Sequence, residues 1–452
     1  MKILSLCGLL GYGYDEKSLE AAKTMDIDYI GVDAGSTDPG PCYLGKGTSF
    51  TNRSAVKRDV ELMLPWALEK KIPFIVGTAG GAGSDVHLQW MREIVEEIAA
   101  EKGLKFKMAL IQTEVTAEYV KEKLAAGKVI EMGPGLTLTE ENIDKCSHIV
   151  SQIGVGPFLK VLEEEGVDVI LAGRACDTAI YAAPALKHGM DEGLAVHMAK
   201  IMECGGLCAE PMSAADCIVA TIENDSFTLE PASQNRICTV GRVAAHTMYE
   251  QGNPYYIYEP DGMADLRESQ YEQVTNRAVR VTNSKFVHAE KPTLKLEGAM
   301  LAGYRTLSIA AINDPMTIKN VDNIFAFVKN FVAQNMQGKV APEDYTVTLR
   351  KFGTPLPGVE VPEMPTCNLG VVIDVVAKTQ DIANTICALC RSRFLHTDYP
   401  GRKSSAGNLA FAYSPSDIVF GPVYTFGVYH LVEVDDLCET ARISYVKVGE
   451  QA

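Results

Sequence analysis

The chain has 452 residues, 47% of them hydrophobic and 22% charged, and a formal net charge of -16. That composition is globular and allows two or three domains, while the acidity argues against nucleic-acid binding, which needs clustered lysine and arginine. No apolar run reaches the roughly 18 residues of a membrane span, and the twelve cysteines are scattered behind an N-terminus with no signal-like pattern, which points to reduced thiols and a cytoplasmic protein with no membrane partner.

Taken in chain order, "KILSLCG" reads as a strand and residues 16–25 as a helix. "DYIGVDA" is the next strand and "IPFIVGTAGG" the third. Residues 85–101 follow with helical spacing: Val86, Trp90, Ile94 and Ile98 form one stripe, with Met91, Val95 and Ala99 beside it. "KFKMALIQT" and "VDVILAGRA" are further strands, each followed by a helical segment. Repeated strand–helix units predict an α/β fold whose N-terminal half, residues 1–210, is a mainly parallel, doubly wound sheet. The pattern changes after Pro211. "DCIVATIENDSFTLEP" and "RAVRVTNSKFVH" resemble strand pairs, helices are predicted over 318–335 and 379–395, and "TPLPGVEVPEMPT" is a proline-rich loop. Residues 211–452 are therefore expected to form a mixed α+β domain, with the hinge between Gly205 and Ser213. Cys387 and Cys390 make a lone CxxC. Without a second pair at zinc spacing they read as core thiols, and no metal site is expected.

Three polar or glycine-rich stretches follow three of the predicted strands, where a parallel sheet presents its binding edge. The first, "DAGSTDPGPCYLGKG", offers Asp33, Ser36, Thr37, Asp38 and Tyr43. In the second, "GTAGGAGSDVH", Gly80, Gly81 and Gly83 permit close backbone approach, and free amides there or at Ser84 can hold an anion at a helix start. His87 falls in the first helical turn, where the helix end keeps it neutral and able to accept a proton. The third, "AGRACDTA", carries Arg174, suited to bidentate carboxylate capture, with Cys176 and Asp177 beside it. Late in the chain, "RSRFLHTDYPGRKSSAGNLAFAYSPSD" supplies Arg402, Ser404 and Asn408 as anion or amide binders.

Together with "VAAHTMYE", these stretches resemble the acyclic terpene utilisation AtuA-like family, over about residues 1–435. The resemblance implies catabolism of branched acyl chains as CoA thioesters, and it transfers no catalytic residue. Cys42 departs from it, standing where an aromatic is expected. Some relatives carry an additional ferredoxin-like domain at the C-terminus. The resemblance therefore implies a homo-oligomer completed by a small ferredoxin-like partner subunit.

The expected function is a lyase, a hydratase or dehydratase of small-carboxylate or acyl-CoA metabolism. Arg174, Arg402 and the Gly80–Gly83 amides would clamp an anionic small molecule, and Asp33, Asp38, His87 and Asp177 would move protons. No cofactor is expected beyond a CoA moiety on the substrate. Hydrolysis or acyl transfer through Cys176 or Ser36 is an alternative. A non-catalytic ligand-binding or scaffold subunit is another.

Overall fold

Five short apolar runs become strands because β-branched and other apolar residues fill them and glycine or polar turns end them. In spatial order they are Lys2–Ser5, Tyr29–Asp33, Phe74–Gly77, Val169–Ala172 and Phe106–Gln112, and every neighbouring pair is parallel. Alternate residues leave on opposite faces, as strand geometry demands. Ile3, Ile75 and Ile170 enter one core with Phe158, Tyr181 and Met198 of the helices Val155–Leu162, Ala179–Lys187 and Glu192–Met202. Leu4, Phe74 and Leu171 enter a second core with the helices Arg53–Lys70 and Asp85–Lys102. The buried face of the latter helix is centred on Met91, Ile94, Val95 and Ile98, while Val86 is exposed.

The structure is a computed structural model and describes residues 1–35, 40–133, 135–353, 368–403, 405–407 and 409–450. It divides into one compact unit of residues 1–300 with 426–452 and another of residues 301–425. The division thus falls elsewhere than the change of pattern near residue 210. The strands Ile218–Ile222, Ser226–Pro231, Val279–Thr282 and Gln270–Gln273 add antiparallel beyond Lys2–Ser5, and Arg442–Val448 pairs antiparallel with Phe106–Gln112. The result is a mixed 10-stranded sheet with a parallel centre and antiparallel flanks. An open edge strand presents unpaired backbone groups, and the later hairpins supply their partners. The expected hinge is part of the same packing: Gly205 has φ +58°, and a Cβ there would lie 2.9 Å from the backbone of Cys7. Two strands of the first half stay out of this sheet. Cys146–Gln152 pairs with residues 295–300, and Val129–Glu131 with residues 430–432, both antiparallel.

The second unit pairs Tyr345–Phe352 and residues 304–312 antiparallel with the two edges of Leu369–Ala377. The helices Val321–Met336 and Gln380–His396 close its core through Val328, Val332, Ile386 and Phe394, and Cys387 and Cys390 are buried in that core. The proline-rich stretch lies outside the described residues. No helix among the described residues is long and apolar enough to cross a membrane.

Candidate functional site

Where the parallel strands end, a cavity of about 890 Å³ opens within the first unit. The polar groups of its lining come from several elements. Asp33 is the last residue of Tyr29–Asp33, and Arg174, Cys176 and Asp177 follow Val169–Ala172. Lys200 and Glu203 come from the end of the helix Glu192–Met202, which is buried from Gly193 to Met202. Glu259 ends the strand Tyr256–Glu259, and Lys295 lies near the start of Thr293–Ile312. Leu9, Leu207, Ile257 and Tyr249 provide apolar surface.

The charges are paired unequally. Arg174 donates from Nε to Glu297 Oε2 at 2.9 Å and from Nη2 to Oε1 at 3.4 Å, and Lys295 Nζ reaches the same Oε1 at 2.7 Å. Burial opposes ionisation of Glu297, yet Arg174 and Lys295 hold its carboxyl down at about 2. Lys200 donates to Glu203. Burial, then the neighbouring Asp177 charge, pushes Glu203 up to about 8 against the pull of Lys200. Burial likewise pushes Glu259 up to about 7, although the Thr178 hydroxyl donates to its Oε1 at 2.6 Å. Asp33 is raised well above the carboxylate range by burial and by Asp177, and Asp177 is raised by its own burial against Arg174 and Lys200. Asp33 Oδ2 accepts the Gly35 N–H at 2.9 Å. Cys176 is pushed far up by burial, then by Glu259 and Asp177, so it is a thiol and a poor nucleophile.

Of the residues singled out in the sequence, Asp33, Arg174 and Asp177 come together here. Arg174 is not a free anion clamp, because Glu297 occupies its guanidinium. His87 is not a proton acceptor for a ligand. It is 1% exposed, its Nε2–H donates to the Thr48 carbonyl at 3.0 Å, and the Ser84 hydroxyl lies 2.6 Å from its Nδ1. A carbonyl only accepts, so the proton sits on Nε2 and Nδ1 receives the hydroxyl. Burial is the largest cause of its lowered pKa. Ser84 is thereby spent on His87 and makes no side-chain cap.

The glycine loop works by close packing. Gly80, Gly81 and Gly83 all have positive φ, and their packing partners are His87, Phe50 and the Arg174 backbone. The Gly81 and Gly83 amides donate to Thr78 and Ala79 carbonyls at 3.1 Å each, so neither is free to hold an anion. The protein's own Glu114 accepts the Asp85 amide at the start of that helix, at 2.8 Å. Tyr43 packs edge-on against Phe50, with ring centroids 5.3 Å apart, and Phe50 rather than Tyr43 lines the cavity. Arg402 belongs to the second unit, where it ties down backbone carbonyls of Thr397 and Ala406. Ser36, Thr37, Asp38, Ser404 and Asn408 lie outside the described residues.

Sequence reasoning missed Lys200, Glu259, Lys295 and Glu297. A signal existed for some of them. Lys200 interrupts the apolar run "LAVHMAKIM", and Lys295 and Glu297 share one face of a strand whose Leu294 and Leu296 enter a core on the other.

In comparison with known proteins, the model of the family described as acyclic terpene utilisation family protein AtuA matches residues 16–403. No curated protein matches, and no solved structure does.

Proposed function

The chain belongs to the acyclic terpene utilisation AtuA family, and from that premise we propose a metabolic enzyme of small-carboxylate or acyl-CoA catabolism, a hydratase or dehydratase working by acid–base chemistry in the cavity. One observation carries this reading: two carboxyls in one cavity, Glu203 and Glu259, are brought to about 8 and about 7. Acid–base catalysis is most effective when the groups titrate near the working pH. Pairs of carboxyls held at separate values also divide naturally into acid and base.

In dehydration, Glu259 takes the proton from the carbon next to the carbonyl. The electron pair forms the double bond and expels the hydroxyl. Glu203, protonated at neutral pH, gives that hydroxyl its proton, and water leaves. Burial opposes the Lys200 charge, but its acidic surroundings, Asp177 among them, raise its pKa overall, and it polarises the carbonyl. Hydration runs the same steps backwards. Cys176, held as a thiol, is less suited to acyl transfer. A scaffold gains nothing from burying so many ionisable groups, since each is expensive to desolvate. Assembly as a homo-oligomer in the cytoplasm, with a small ferredoxin-like partner, belongs to the same proposal, and native mass measurement tests it.

The test of the chemistry is a screen of hydroxyacyl and enoyl CoA esters and the matching free acids for hydration and dehydration. Glu203→Gln and Glu259→Gln should each lower kcat by about 10²–10⁴. Turnover by neither class of compound, or full activity of both variants, would sink the proposal.

A further inference from the structure

The run "CGLLGYGY", Cys7 to Tyr14, follows Lys2–Ser5, the first strand of the parallel sheet. It is tied down at several points. The Gly8 amide donates to the Ala214 carbonyl at 2.8 Å, and the Leu10 amide donates to the backbone carbonyl of Asp33 at 2.9 Å. Asp59, on the helix Arg53–Lys70 and 1% exposed, directs its carboxylate at the same loop. Its Oδ2 accepts the Gly11 and Gly13 amides at 2.9 and 3.0 Å, and its Oδ1 accepts Arg58 Nη1–H at 2.8 Å. The Tyr14 hydroxyl donates to the Asp59 backbone carbonyl. Gly11 and Gly13 have φ +97° and +82°, and a Cβ on Gly11 would lie 2.8 Å from the side chains of Thr51 and Val56. Only glycine takes such backbone angles without strain. One buried carboxylate thus collects the amides on either side of Tyr12 and fixes the backbone that carries it.

Tyr12 is 66% exposed and lines the cavity. Its ring centroid lies 5.9 Å from that of Phe50, which lines the cavity as well and packs against Tyr43. A lone exposed aromatic is ordinary on a protein surface. Tyr12 is not alone, because Met132, Tyr249 and Tyr258 are also exposed and also line this cavity. Apolar surface left in water gives the fold no burial energy, so a loop held this firmly gains no stability from the ring it presents.

We propose that Tyr12 is a ligand-contacting residue that sets the affinity of this cavity, its ring packing with Phe50 on the bound compound. Asp59 is its positioning residue, acting through the Gly11 and Gly13 amides. The inference rests on the reading of the cavity as the working site and adds an aromatic wall to its acid–base pair. A tyrosine ring suits this role, since it brings a large contact surface with little side-chain freedom to lose.

The test uses the intact protein and the hydroxyacyl and enoyl CoA esters with the matching free acids. Binding is read by calorimetry and turnover in a separate assay. For the compound that binds most tightly, Tyr12→Ala should weaken binding at least about tenfold, as the lost burial of an aromatic ring would give. Tyr12→Phe keeps the ring and should stay within about threefold of the unmodified protein. Because Tyr12 is exposed, neither variant should move the melting temperature. Asp59→Ala should weaken the same compound, and the double variant should bind no more weakly than Tyr12→Ala alone, since Asp59 acts through Tyr12. Asp59→Asn repeats that comparison on a smaller scale if Asp59→Ala does not fold. Unchanged binding by Tyr12→Ala, equal losses in the Tyr12→Phe and Tyr12→Ala variants, additive losses in the double variant, or no binding by any of the compounds would overturn the inference. Binding that depends on Tyr12 without turnover refutes the lyase alone. Turnover of a compound whose binding ignores Tyr12 refutes the aromatic wall alone.

Discussion

Arg174 contributes to the fold before it contributes to any ligand. Its guanidinium and Glu297 are both almost wholly buried, with side-chain exposures of 4% and 7%. Arg174→Ala leaves Glu297 with Lys295 as its remaining cation in a dry setting. Breaking a buried ion pair from one side typically costs about 3–5 kcal/mol, so urea denaturation should show a loss of that size. A loss below about 1 kcal/mol, the range of exposed pairs, would mean that water reaches the pair. His87 makes a similar case. Its ring bridges Ser84 and the Thr48 carbonyl, and His87→Gln cannot place donor and acceptor at the same two points. The expected cost is about 1–3 kcal/mol of stability, with kcat unchanged once a substrate is in hand. A fall in kcat at unchanged melting temperature would return His87 to the chemistry.

The loop between Phe74–Gly77 and Asp85–Lys102 shows how an element positions the site without touching a ligand. Gly83 has φ +70°, and a Cβ there would sit 2.2 Å from the Arg174 nitrogen. The nitrogen is backbone and a Cβ is fixed on its Cα, so neither can swing aside. The Arg174 amide also donates to the Gly83 carbonyl at 3.1 Å. The glycine therefore sets the separation between this loop and the segment that carries Arg174 and Asp177. Gly103, which ends the same helix, has φ +63° with nothing within 4 Å of a Cβ. Gly103→Ala should cost only the left-handed backbone penalty, about 1–2 kcal/mol. Gly83→Ala should cost clearly more, because the clash adds to that penalty, and should displace Arg174. Equal melting temperatures for the two variants would refute the packing role.

Across the whole molecule, two raised glutamates and two lowered histidines predict a stability plateau between about pH 4.5 and 6.5, because their opposite slopes cancel there. Glu203 and Glu259, at about 8 and about 7, lie above their ordinary value of 4.5. The folded state binds those protons more tightly than the unfolded chain. Their contribution is complete below the ordinary value and is lost as pH rises through the folded ones. Histidines act in the opposite sense. Burial lowers His197 to about 3 and His246 to about 4, from 6.5. Their contribution is complete above 6.5 and is lost as pH falls towards the folded values. Glu297, at about 2, adds to the acid-side loss below 4.5. Each group changes stability by up to about 1.4 kcal/mol per pH unit within its window. Denaturant midpoints measured between about pH 4 and 9 should fall below and above that plateau. A profile still rising from pH 7 to 8 would contradict the buried state of the two glutamates.

Local pattern determined a great deal of this protein. Apolar runs bounded by glycine marked the strands Lys2–Ser5, Tyr29–Asp33, Phe74–Gly77, Phe106–Gln112 and Val169–Ala172, and apolar spacing marked the helices that start at Glu16, Asp85 and Gln380. The strand-end rule also brought Asp33, Arg174 and Asp177 to one place, because a parallel sheet puts its strand termini on a common edge. What local pattern could not decide was partnership. Periodicity says which face of a strand is apolar, but not which strand lies beside it, so the hairpins after residue 210 could not be assigned to the edge of the N-terminal sheet. The carboxylate that neutralises Arg174 lies 123 residues away in the chain, and Lys200 and Glu259 reach the cavity on a helix and on a hairpin outside the parallel sheet. The glycines were ambiguous for a related reason. Gly80, Gly81 and Gly83 suit an anion-binding turn and a close-packed one equally well in sequence. Only the atoms opposite each missing Cβ tell them apart, and those atoms are brought there by tertiary contacts.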